Sequence, residues 1–346
     1  MKTKLTGALV LASLAAPLSA QAEGKIYGVF NISANQVDNT QAAVDRTAAG
    51  SAQGQRFGSQ VQDGQSADNN GSRLGFQGEQ GQFFFAIEMA LGTEDDGRGD
   101  RFLGLGDTRH AFVGFNSGVG TFTFGRVNTA YKLAGQRLDP FYDTSSANFV
   151  GGFGTEGATY GLSNLINGWT DNSITYLSPE VAGLSVNAGV HLQELNDEDH
   201  DYSVGIDYRL GSLTAGVQYL TIGADLADGV IAGAGQVVDT STQVTAHYEG
   251  EGWTLGASYE LIDLRQVDDE RGYAFLSGTF DLGDITLAAT VGQVDQGAGE
   301  GEGATLGAFV NLIEDFQLYG LYSYADLDNN TENNTVSFGV RYGFEI

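Results

Sequence analysis

The fold class this sequence predicts is all-β: a transmembrane antiparallel up-and-down barrel of about sixteen strands with one long inward-folded loop. Three observations predict it. Most of the chain beyond residue 25 alternates apolar with small or polar residues at period two, as strands with two unlike faces do. Tight turns interleave with long polar loops along the chain. One stretch, Arg126 to Asp171, drops the alternation yet keeps enough apolar bulk to pack against a wall.

Residues 1–22 read as an export signal: Lys2 and Lys4 make a basic start, Leu5 to Ala16 is apolar, and Ala20-Gln21-Ala22 forms an A-x-A cleavage site. The expected mature domain is 23–346. The 346 residues include no Cys, so an exported chain would not be stapled by disulfides. No later run approaches the ~20 apolar residues of a membrane-spanning helix, a test that barrels escape because their signal is short alternating segments. A formal net charge of −28 excludes nucleic acid as a natural partner, since phosphate would be repelled.

The first strand is expected from Ile26, with Phe30, Ile32 and Ala34 on one face and Asn31 and Ser33 on the other. A Gly-, Gln- and Asp-rich loop, 37–70, follows. Arg73 to Glu79 and Phe83 to Ala90 form a hairpin, and after a polar loop at 92–107 the next pair is Thr108 to Phe115 and Thr121 to Arg126. Beyond the central stretch the alternation is cleaner. Val204 and Ile206 alternate with Ser203, Gly205 and Asp207, and Val336, Phe338 and Val340 alternate with Ser337, Gly339 and Arg341. Short turns near 210–212, 249–252, 281–284 and 313–315 alternate with longer loops, as in a barrel inserted from one side. A soluble sandwich would turn its apolar face inward. Here the opposing face carries Gly, Ser, Thr, Asn, Gln and charges, so a wet interior and an oily exterior is the simpler geometry. Tyr202, Tyr208, Tyr248, Trp253, Tyr324 and Tyr342 lie near strand ends, where an interfacial aromatic girdle is expected.

Several short stretches together give the chain a family likeness: Tyr27-Gly28, Ser72 to Glu79, Thr108 to Gly114, Gly120 to Arg126, Asp171 to Tyr176 and Val340 to Phe344. In order and spacing the sequence resembles the trimeric general porins of Gram-negative outer membranes over nearly its whole mature length. The resemblance implies a cell outer-membrane homotrimer, set in lipid and lipopolysaccharide, whose passive water-filled pores pass small hydrophilic solutes and ions. It also implies that the third long loop, about 127–170, folds inside to form the constriction.

The family sets wall bases across from acids on that loop. On that pattern Arg73 and Arg109 are wall positions, Asp139 and Asp143 their expected partners, and Glu156 a further loop acid. Parity agrees for Arg73, which is out of phase with Leu74 and Phe76. A first-strand position that can be basic is Val29 here, and a sixth-strand position often basic is Asp171, which would add an acid to the bore. Fewer wall cations and an added acid lead to an expected mild cation preference. Arg126 shares phase with Phe122 and Phe124 and should point outward. An Arg facing lipid costs ~2–4 kcal/mol at the midplane. Either water at the rim covers it or, as the resemblance implies, a neighbouring subunit does, with Glu94, Asp95 and Asp96 as candidate ion partners.

Two other functions compete. A substrate-specific channel would use an aromatic-lined constriction, for which Tyr131, Phe141, Tyr142, Phe149 and Phe153 are available. A barrel-embedded hydrolase would need Ser, His and an orienting group together. The four His (His110, His191, His200 and His247) lie near no nucleophile motif, which disfavours it. Permeation needs no catalytic residue or cofactor, and Asn196 to His200 lacks the spacing of a calcium loop, so no metal site is expected.

Overall fold

The computed structural model describes residues 23–39, 64–91, 105–144, 159–167, 169–192, 200–223, 238–265, 270–295, 300–328 and 331–346. Residues 1–22, the expected export signal, lie outside the described residues, as do Glu94, Asp95, Asp96 and Glu156. The first strands are β1 (Glu23–Asn39), β2 (Gly64–Asn69), β3 (Arg73–Gln80), β4 (Phe83–Leu91), β5 (Leu105–Ser117) and β6 (Gly120–Val127). A short helix α1 (Ala130–Gln136) and a 3-10 turn (Asn164–Asn167) interrupt the wall sequence. Then come β7 (Thr170–Leu177), β8 (Leu184–His191), β9 (Asp201–Leu210), β10 (Leu213–Thr221) and β11 (Val238–Gly250). The last are β12 (Trp253–Leu264), β13 (Glu270–Leu282), β14 (Ile285–Asp295), β15 (Gly301–Ile313), β16 (Phe316–Leu327) and β17 (Thr331–Glu345).

Each strand pairs antiparallel with its neighbour in sequence, and β1 pairs with β17, so the sheet closes on itself. Both β2 and β3 pair with β1, over Ile32 to Val37 and Glu23 to Val29 respectively, so they are halves of one wall strand broken at 70–72. Counting them once gives a sixteen-strand barrel. Closure leaves no edge strand, and in hydrocarbon every backbone donor and acceptor must find its partner within the protein.

The wall is inverted relative to a soluble protein. On β17 Ser337 is 0% exposed and Phe338 68% exposed. On β1, Asn31, Ser33 and Asn35 are buried while Phe30 and Ile32 are exposed. Register carries this around the ring, since Ala34 faces Phe338 and Asn35 faces Ser337 across the β1–β17 seam. Tyr202 and Tyr208 are both exposed at opposite ends of β9, and Tyr248 stacks on Trp253 at 4.9 Å. Aromatic side chains at both levels fit a membrane with two interfaces.

The only inward-facing apolar clusters described lie where the inner loop meets the wall. Tyr131, Leu138, Leu165 and Ile166 from the loop pack on Leu220, Ile262, Phe275 and Val294. Phe141 packs on Ala288, Phe309, Tyr319 and Leu321. Close approach requires small residues: a Cβ on Gly292 would lie 2.0 Å from the Tyr160 carbonyl oxygen. The described parts of the expected loop, residues 127–144 and 159–167, are therefore seated inside the barrel, against β10 to β16.

Candidate pore constriction

Thr129 caps α1, its hydroxyl accepting from the Lys132 amide at 3.1 Å, and this starts the loop's turn away from the wall. The chain then follows the inner wall, with the Leu138 carbonyl accepting from Ser277 of β13 and Phe141 packed on Phe309 of β15, to Asp143, which has φ 58, a left-handed conformation that Asp tolerates better than most residues. There the loop touches the wall again. Asp143 Oδ2 accepts from Arg73 Nη1 at 2.6 Å, and its carbonyl accepts from Asn31 Nδ2 at 2.6 Å. Arg341 of β17 reaches the Tyr142 and Asp143 carbonyls at 3.2 and 3.3 Å.

Beside this contact is a second set of charges. Glu88 of β4 accepts from Arg109 Nε at 2.7 Å and from the Tyr27 hydroxyl at 2.8 Å, and lies 3.8 Å from Arg73 Nε. Arg109 reaches it because it is the extra residue of a bulge: Glu88 faces His110, whereas Met89 faces Thr108. A bulge re-aims a side chain. This accounts for the irregular alternation of β5, in which Ala111 and Val113 point outward and Arg109 inward. Two basic side chains lie over the Trp169 ring, with Arg109 Cζ 4.7 Å and Lys132 Nζ 3.6 Å from its centroid. Lys132 is 1% exposed. Burial, followed by the Arg109 charge, pushes its ammonium well below the ordinary lysine range, against the preference of the indole face for the charged form.

The expected site residues divide. Arg73 and Asp143 meet, as do Arg109 and Glu88, the latter an acid that the sequence reading did not select. Asp139 is buried and, among the described residues, forms no ion pair with a wall base. Its carboxylate accepts from the Thr159 amide and hydroxyl at 3.1 and 2.7 Å and from the Phe141 amide at 2.9 Å, which holds the loop's own turn together. Burial raises its carboxyl to about 6 in spite of these donors. Asp171 is brought to Arg126, 2.6 Å away, and not to Arg73 or Arg109. Both lie at a bulge between β6 and β7, where Gly125 faces Ser173 but Val127 faces Thr170, and Arg126 Nε also donates to the Thr108 carbonyl at 2.7 Å. Val29 sits directly across from Arg73. Arg341 was visible in the sequence only as one polar-phase residue of the last strand.

Of the loop's aromatic residues, Tyr131 and Phe141 are buried against the wall, and Phe149 and Phe153 lie outside the described residues. His191 is enclosed between Ser173 and Ser203 at 2.8 and 3.1 Å, and among the described residues no carboxylate hydrogen-bonds to it.

A closed wall with an oily exterior, a polar interior and a charged loop folded across it defines a transmembrane β-barrel channel. Residues 7–345 match the sequence profile of the Gram-negative porins, and the chain belongs to that family. It is 26% identical over 341 residues to an outer membrane porin protein of Bordetella pertussis, covering 94% of this chain and 78% of that one. Its fold is similar to that of an anion-selective porin from Comamonas acidovorans, with TM-score 0.67 at 16% identity over 94% of this chain and 100% of the other. It is also similar to OmpT of Vibrio cholerae in its trimer form, with TM-score 0.62 at 17% identity over 94% and 100%. The protein is a channel of the Gram-negative outer membrane and not an enzyme.

Proposed function

We propose that the chain forms a passive diffusion pore for small hydrophilic solutes and ions, with its selectivity decided where Asp143 meets Arg73. Three guanidiniums (Arg73, Arg109 and Arg341) gather there against two carboxylates, Glu88 and Asp143. Arg keeps its charge at any working pH. The narrow passage thus carries an excess of positive charge and favours anions, while acids near the mouth such as Glu300, Glu302, Asp326 and Asp328 concentrate cations outside it. The cation preference expected from sequence relied on fewer wall cations, with Val29 in a position that can be basic, and on Asp171 as an added acid; Asp171 instead pairs with Arg126 at 2.6 Å. Three guanidiniums against two carboxylates is the observation that carries the reading. Reversal potential across a salt gradient tests it: an anionic sign supports it, and a cationic sign returns control to the mouth acids.

The working unit in this reading is a homotrimer set in outer-membrane lipid and lipopolysaccharide, after removal of residues 1–22. The outward wall of β5 to β7 supports it, with Phe115 stacked on Phe122 at 5.1 Å and Phe122 tilted against Tyr176 at 5.0 Å. Arg126 lies on the same outward phase, and Glu94, Asp95 and Asp96 of a neighbouring subunit are its proposed further partners. Glu156 remains a proposed loop acid of the constriction.

A further inference from the structure

The inner loop has two legs, one through α1 and one through the 3-10 turn, on either side of its tip. Both end on a single wall side chain. The Tyr131 hydroxyl of α1 and the Ser163 hydroxyl, which immediately precedes the 3-10 turn, each donate to Oε1 of Glu260 on β12, Ser163 at 2.7 Å. Ser241 of β11 completes the group, 2.5 Å from the Tyr131 hydroxyl and 3.3 Å from the same carboxylate oxygen. Glu260 is 1% exposed. Among the described residues no cation lies within ion-pair distance of it. Among the described residues its other oxygen, Oε2, has no hydrogen-bond partner, and neither does the amide of Gln243, its direct cross-strand neighbour.

Burying a carboxyl without a counter-charge is costly, so one needs a strong set of donors to persist there. The donors that Glu260 has come mainly from the loop and only in part from the wall. The legs also lock to each other beside it: a Cβ on Gly135 of α1 would meet Ile166 of the 3-10 turn at 2.5 Å and the Gln243 amide at 2.9 Å.

We propose that Glu260 is the positioning residue of the conducting path, one wall side chain that clamps both legs of the inner loop and so sets the width of the bore from β12. This rests on the reading that the inner loop bounds that path.

Single-channel recording of the full chain in planar bilayers tests it. Glu260→Ala is expected to leave the sign of the reversal potential as in the wild type while the time spent in reduced-conductance states rises several-fold. Glu260→Gln keeps an oxygen for the three hydroxyls and turns an NH2 toward the unpartnered Gln243 carbonyl oxygen, so it should restore quiet openings. Tyr131→Phe and Ser163→Ala each free one leg and should be intermediate, and together should match Glu260→Ala. A Glu260→Ala pore as quiet as wild type, or a Glu260→Gln pore as noisy as Glu260→Ala, overturns the proposal. If Glu260→Ala does not assemble, the Tyr131→Phe/Ser163→Ala pair, which alters no wall residue, decides: quiet openings overturn the clamp. Failure of the underlying reading looks different, because Asp143→Asn would then also leave reversal potential unchanged.

Discussion

Arg73 on the barrel wall and Asp143 on the inner loop are joined by a contact of 2.6 Å, both side chains largely shielded from water. The loop is thereby pinned to β3 at its far end from α1. Asp143→Asn should move reversal potential further toward anions, and Arg73→Ala should move it back. One charge at ~4 Å in water is worth ~1 kcal/mol, so several-fold changes in permeability ratio are expected at low salt. At ~1 M salt, where screening acts over ~3 Å, both shifts should shrink.

Glu88 sits under Arg109, Arg73 and Tyr27 with almost no exposure. Removing one partner of a buried pair costs roughly 3–5 kcal/mol, because the remaining charge stays desolvated. Glu88→Gln is therefore expected to lower the urea midpoint of the detergent-solubilised protein and to strengthen anion preference. An unchanged midpoint would show that water reaches the pair freely.

Asp139 gives a pH dependence whose sign follows from its burial. Its folded-state carboxyl titrates near 6, above the ordinary value of 3.8, so folding favours the protonated form. That stabilisation is complete below the ordinary value and is lost as pH rises through about 6. A displacement of this size corresponds to ~3 kcal/mol at most. Limited proteolysis of the inner loop should quicken between about pH 4 and about pH 7, and Asp139→Asn should flatten the profile.

Arg126 and Asp171 pair with each other at 2.6 Å, away from the wall arginines. Arg126→Ala should loosen subunit association in semi-native gels without altering reversal potential. Asp171→Asn should likewise leave selectivity alone; a shift toward anions would put this carboxylate back in the bore.

The inversion of the wall is directly measurable. A spin label at Phe338 should be broadened by oxygen and one at Ser337 by a water-soluble nickel complex. The reverse pattern contradicts a membrane barrel.

Much of this was legible in the chain. Period-two alternation is a local property that the membrane enforces at every strand, so β9, β12 and β17 can be read residue by residue. The seat of the inner loop had a signal too, in the apolar residues that stand in the water-facing phase. Leu220, Ile262, Phe275, Phe309 and Leu321 all break the polar-inside rule, and all pack beneath the loop. Glu88, Arg341 and Glu260 were harder to single out, because each is one polar residue in a polar phase and gains its role from partners distant in sequence, such as Arg109, Tyr142 and Ser163. The inward turn of Arg109 depended on a bulge, which shows in the chain only as a lapse in the alternation of β5 and is located by pairing between strands. Asp139 and Asp143, four residues apart, diverge because the turn between them sends one carboxylate into the loop and the other toward β3.

The cluster under the loop has a thermodynamic consequence. Side chains such as Phe338 and Ile206 meet hydrocarbon or detergent whether or not the wall is assembled, so their dehydration contributes little when the chain folds from a micelle. Tyr131, Leu165, Ile166 and Phe141 pass from water into a dry contact. Heat-capacity change tracks water-exposed apolar area. The calorimetric signature of folding should therefore come mostly from the inner loop, and a loop-deleted barrel should melt with a markedly smaller increment.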